Sequence, residues 1–128
     1  MVLKIRIKIK RTSQVVNAVI ADCEENMVEY LEDNGLEPTV DEDGCYPAAY
    51  TFTYENKLKN PVYLMVFNLK YFSVHVAAHE CMHAAISIFR MNGTPLTEDT
   101  EEGYCLVMDD LLYQLLKKTK LELKNFKV

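Results

Sequence analysis

The stretch from Val74 to Gly93 is largely apolar, and its first half is interrupted by all three histidines of the chain, His75, His79 and His83, and by Glu80. Val74, Val76, Ala77, Ala78, Ala84, Ala85, Ile86, Ile88 and Phe89 cover almost every side of a helix, and a helix apolar all round is normally buried. Ionisable groups buried with it need partners. His79 and His83 are four residues apart, on one helix face about a turn from each other, so their imidazoles can aim at one point. Glu80 lies one residue round from His79. The run His79-Glu80-Cys81-Met82-His83 is therefore H-E-x-x-H. In this pattern two imidazoles hold zinc and the carboxylate takes a proton from water that the metal activates. The alternative is a polar helix face whose His and Glu are simply solvated; the apolar flanks weigh against it.

A chain of 128 residues, about half of them apolar, suffices for one domain with a hydrophobic core, so 1–128 is read as a single domain. It has no continuous apolar run of the roughly 18 residues that a membrane span needs. The N-terminal residues alternate charge and apolar side chains, unlike the apolar block of a signal peptide, and an intracellular, cytoplasmic protein is expected. Cys23, Cys45, Cys81 and Cys105 are widely spaced with no C-x-x-C pair, which predicts buried thiols rather than a cysteine zinc site. The net charge is −5, unevenly spread: five basic residues and no acid in 1–11, five lysines and one glutamate in 117–127, and eighteen acids against four basic residues between. This is not the pattern of a nucleic-acid-binding surface. It suits either an acidic site for cations or basic substrates or ordinary solvated faces.

Leu3, Ile5, Ile7 and Ile9 alternate with Lys4, Arg6, Lys8 and Lys10, the period of a strand with one buried face; its lysines would discourage edge pairing. Val15, Val16, Val19, Ile20, Cys23, Met27, Tyr30 and Leu31 fit helical spacing between a Thr12-Ser13 cap and an Asn34-Gly35 stop, which predicts one helix over about 14–34. Residues 35–47 read as an acidic loop. Asp41-Glu42-Asp43-Gly44 lacks the ligand spacing of a calcium loop. Tyr50, Phe52 and Tyr54, then Val62–Phe67, predict an antiparallel hairpin, the second strand apolar on both faces and hence internal. A connector at 93–97 precedes a helix from about 97–100 to 118, with acids in its first turn and Lys117 and Lys118 in its last. Leu121–Phe126 alternates like a short final strand.

A catalytic zinc usually takes three protein ligands. A third histidine six residues beyond His83 is excluded, because Phe89 stands there. Glu101 and Glu102 head the next helix, which the connector lets fold back on the first; their competing role is to complement the helix dipole. Asp99 and His75 are further candidates, and His75 could instead precede the helix and line the site.

The motif helix followed by Glu101-Glu102-Gly103-Tyr104-Cys105-Leu106 resembles the zincin superfamily of metallopeptidases. Within it the glutamate-ligand branch, and the very small predicted metallopeptidases encoded by bacteriophages, are the most similar. The resemblance spans about residues 50–116. Aligning Cys105 with the small residue of that pattern implies Glu102 rather than Glu101 as ligand. The larger enzymes of the branch often carry an aspartate four residues after that ligand; Leu106 follows Glu102 at that distance and Cys105 follows Glu101. The resemblance implies an α+β, minimal zincin-like domain, with a small mixed or antiparallel sheet on the H-E-x-x-H helix and two further helices. An edge strand would hold an extended substrate by β-augmentation. Tyr104, Tyr113, Tyr71 and His75 are the candidates for an oxyanion donor.

The expected activity is amide hydrolysis of a peptide or protein substrate by one Zn²⁺ on His79, His83 and Glu102, with Glu80 as general base and then proton shuttle. No nucleic-acid or membrane partner is expected, and a viral protein would act in the host cytoplasm. The main rival is a non-catalytic interaction protein on the same scaffold, its metal structural or absent, such as a phage protein binding a host factor. A third reading changes the substrate to a cell-wall amide or a non-peptide bond; no aromatic sugar platform supports it.

Overall fold

The computed structural model describes residues 1–125. Strand β1 (Val2–Lys8) buries Leu3, Ile5 and Ile7 and exposes Lys4, Arg6 and Lys8, as period-2 alternation requires. It turns tightly through Ser13, at φ 60°, into β2 (Val15–Ala21), which pairs antiparallel with it. Helix α1 (Glu24–Asp33) follows, then the loop, then β3 (Ala49–Glu55) and β4 (Pro61–Asn68), an antiparallel hairpin. Strands β2 and β4 are parallel neighbours, so the four-stranded mixed sheet runs β1-β2-β4-β3. A single 3₁₀ turn, Leu69–Tyr71, leads into α2 (Val74–Met91), and α3 (Glu101–Asn125) ends the described chain. The architecture is α+β. No described helix is long and apolar enough to cross a membrane.

Three elements differ from the sequence reading. The expected helix over 14–34 is strand β2 followed by the shorter α1. Strand β2 lies inside the sheet and is buried on both faces from Ala18 to Ala21, with Asn17 exposed, so its apolar residues do not alternate; Val15, Val16, Val19 and Ile20 are β-branched and favour a strand. The expected strand at 121–126 is helical through Asn125, and Phe126 lies outside the described residues. Lys117 and Lys118 therefore sit well inside α3 rather than in its last turn. Of the cysteines only Cys81 is buried; Cys23 is half-buried, and Cys45 and Cys105 are exposed.

The sheet separates two cores. On one face Val19, Ala21, Leu64, Val66 and Tyr50 meet Met27 and Leu31 of α1. On the other, Ile5, Ile7, Ala18, Met65 and Phe67 meet α2 through Ala77, Cys81, Ala84, Ala85 and Ile88, and α3 through Val107, Leu111 and Leu115. Helix α2 is capped by Ser73, whose hydroxyl accepts from the Val76 amide at 3.1 Å, and turns out through Gly93 at φ 70°.

Helix α3 runs antiparallel along β1 and seals its outer edge. The Lys10 amide donates to Asp110 Oδ2, Gln114 Nε2 to the Lys8 carbonyl and Lys118 Nζ to the Arg6 carbonyl, each at 2.9 Å. Four helical residues rise about 6 Å and two strand residues about 6.6 Å, so the two repeats stay nearly in step. With this edge taken, Leu121–Asn125 have no strand to join there and continue the helix. Leu111→Ala, at the centre of the α3 interface, is expected to cost about 2–5 kcal/mol in urea denaturation, and Gln114→Ala less than about 1.5 kcal/mol.

Candidate metal centre

With its small-residue face pinned to the sheet, α2 must point the opposite side outward. Rotation of about 100° per residue places His79 and His83 there, and both are exposed. The buried environment expected for the whole helix therefore holds for one face only. The His79 and His83 Nε2 atoms are 3.2 Å apart. Two nitrogens bound to one tetrahedral zinc at about 2.05 Å would stand about 3.3 Å apart, so the pair already has the spacing that chelation needs.

Glu80, turned toward β3, is 7% exposed. Its carboxylate is divided in use. Oε1 accepts a hydrogen bond from Thr51 Oγ1 at 2.8 Å, and Oε2 lies 3.9 Å from His79 Nε2. Thr51 escaped the sequence reading, although strand alternation held the clue. Tyr50, Phe52 and Tyr54 take the α1 face of β3, which leaves Thr51 on the face that the motif helix covers.

Among the described residues, the ligand atoms of His79, Glu80 and His83 form one group within 4.8 Å of one another. Glu101, Glu102, Asp99 and His75 are not part of it. His75 is the second residue of α2 and exposed. Glu101 and Glu102 open α3, both exposed. Their depth is set by Phe89, whose ring stacks on Tyr104 at 4.1 Å and lies 3.7 Å from where a Cβ on Gly103 would be. Phe89 is six residues past His83, about 9 Å up the helix. Counting down the antiparallel helix by its rise from that contact reaches the exposed Asp109 at about the axial level of His83; like Glu101 and Glu102, it is not part of the group of His79, Glu80 and His83. Tyr104 donates its hydroxyl to the Thr94 carbonyl at 2.6 Å. Tyr71 and Tyr113 are both exposed.

Cys81, inside the motif, points the other way. It is fully buried in the core, and burial, with the neighbouring Glu80 carboxylate, pushes its thiol up to about 12. A thiol so placed is neither nucleophile nor ligand at neutral pH. Comparison with protein-family models, with curated proteins and with solved structures finds no match to this chain.

A reagent that attacks thiolates at pH 8 is expected to modify Cys45 and Cys105 of the native protein and leave Cys81 untouched until denaturant is added. Mass mapping of the labelled sites checks this; rapid native labelling of Cys81 would contradict the burial of this helix face.

Proposed function

We propose that the chain is a zinc-dependent metallopeptidase hydrolysing a peptide or protein amide bond. The observation that carries the reading is the pair of exposed imidazole nitrogens 3.2 Å apart beside a buried carboxylate fixed by Thr51. His79 and His83 would hold the metal, with Glu102, the ligand the motif resemblance implies, or Asp109 of α3 as the third ligand. Bound zinc would act as a Lewis acid toward the substrate carbonyl and toward water.

The protein's own part follows from Glu80. Thr51 occupies Oε1 and so fixes the carboxylate plane, which leaves Oε2 on the histidine side to take a proton and later return it to the leaving amine. Burial keeps that carboxylate out of bulk water and limits its rotation. Strand β3 is an edge of the sheet and carries Thr51, so a peptide pairing with its free edge would pass beside Glu80. The α+β arrangement, a four-stranded mixed sheet with the H-E-x-x-H helix packed on it, is compatible with this reading.

A specific observation favours a second reading, an interaction protein without catalysis: among the described residues the only third ligand atom grouped with His79 and His83 is that of Glu80 itself, and a Glu80 spent on the metal would not serve as the base. Metal binding and turnover of five variants separate the two.

Elemental mass spectrometry of the purified protein is expected to find about one zinc per chain, lost in His79→Ala. Glu80→Gln should keep the zinc and abolish peptide hydrolysis; wild-type turnover in this variant would sink the mechanism. Thr51→Val should keep the zinc and lower kcat roughly 10- to 100-fold, as loss of an orienting partner does. Zinc affinity measured in Glu102→Gln and Asp109→Asn should fall in the one that supplies the third ligand. Full zinc retention in both would remove α3 from the shell.

A further inference from the structure

The outward stripe of α2 does not end at His83. Ile86 and Arg90 continue it at spacings of three and seven residues, within about 60° of the histidines around the axis. They enter a half-open hollow of about 400 Å³ that is walled by Ile86, Pro95, Leu96 and Tyr104, a volume within the usual range of ligand sites. Its walls are already built. Tyr104 is clamped by its bond to the Thr94 carbonyl and by its stack on Phe89, and the Thr94 amide donates to the Phe89 carbonyl at 2.9 Å. Leu96 is 55% exposed, an apolar side chain left without cover at the mouth.

Arg90 is the one cation lining this hollow and one of only four basic residues between positions 12 and 116. Acids stand close in sequence at Glu98, Asp99, Glu101 and Glu102, all exposed. None of the ion pairs among the described residues involves Arg90. An exposed guanidinium over an apolar floor has the chemistry to bind a carboxylate carried on an apolar body. Arg90 lies seven residues, about 10 Å, beyond His83, which an extended peptide covers in about three residues.

We infer that this hollow at the α2–α3 turn is a peptide subsite, taking an apolar side chain against Ile86 and Leu96 and a carboxylate on Arg90 about three residues from the bond presented to Glu80. The carboxylate is either an acidic side chain or a chain terminus. The place of the subsite in a reaction rests on the metallopeptidase reading; the binding itself does not require metal.

The test is a titration of the isotope-labelled full chain, followed by NMR amide shifts. Three acetylated pentapeptides are compared: Ala-Ala-Leu-Ala-Ala with a free C-terminus, the same peptide amidated, and an amidated Ala-Ala-Leu-Ala-Glu. At least one carboxylate-bearing peptide should bind roughly tenfold more tightly than the neutral amide, with shifts centred on Thr94, Leu96 and Arg90. Whichever acid binds identifies the source, terminal or side-chain. Arg90→Gln, at an exposed position, should erase the difference, and Arg90→Glu should transfer the preference to an amidated peptide ending in lysine. Leu96→Ser should weaken all three peptides together. Equal binding of acidic and neutral peptides by the wild type, or shifts away from the hollow, would overturn the subsite. His79→Ala keeps the two readings apart: Arg90-dependent binding that persists without zinc supports the subsite whatever the fate of the metal centre. A zinc-loaded protein indifferent to Arg90 would leave the centre standing and remove the subsite.

Discussion

The structure depends on how closely α2 can lie on the sheet. Ala77, Cys81, Ala84 and Ala85 form a face of small side chains with Ile88 at its end, and on the sheet side β3 offers Ala49 and Thr51 rather than large residues. Small residues on the helix face and on β3 allow a close approach on that side, Met65 and Phe67 of β4 fill the space on the other, and close packing tolerates little rotation. Once that face is fixed, the directions of the other side chains follow from the helical period. His79, His83, Ile86 and Arg90 form an outward stripe, Glu80 turns sideways onto β3, and Phe89 turns toward α3. The 2.8 Å bond from Thr51 to Glu80 is a consequence of this seat and also secures it, because a buried carboxylate without a donor would be costly.

The two edges of the sheet receive opposite treatment. On β1 the outward backbone groups of Arg6, Lys8 and Lys10 are bonded by side chains of α3, and lysine side chains flank them. Such an edge cannot easily accept another strand. Strand β3 lies at the other edge, against α2, and it carries the threonine that orients Glu80. Whatever extended chain this sheet can add is thereby directed to the side where the histidines and the carboxylate sit. The hollow beyond His83 extends the same surface along α2, so the proposed centre and the proposed subsite share one helix face.

Much of this was legible in the residues. The alternation of 3–9, the hairpin at 50–67 with its internal second strand, the motif helix and the return of α3 are all strong local periods. The reading failed where a local pattern fitted two answers. Val15, Val16, Val19 and Ile20 satisfy a helical spacing, yet in an interior strand both faces are apolar and the spacing carries no information; β-branching was the better guide. Leu121 and Leu123 alternate like a strand, but a strand needs an edge, and α3 had closed the nearest one. Cys45 and Cys105 were expected inside on the general habit of cysteine, whereas their elements turn them out.

The sequence by itself determined that two imidazoles and a carboxylate come together, because the geometry of H-E-x-x-H is internal to one helix: 3.6 residues per turn bring His79 and His83 together wherever that helix lies. The tertiary structure alone decided what surrounds them. Which helix face is buried, that Thr51 is the partner of Glu80, that Phe89 stacks on Tyr104, and that Arg90 lines a hollow are relations between elements distant in sequence. They are set by how side chains of particular volumes pack across an interface, and no local period encodes that.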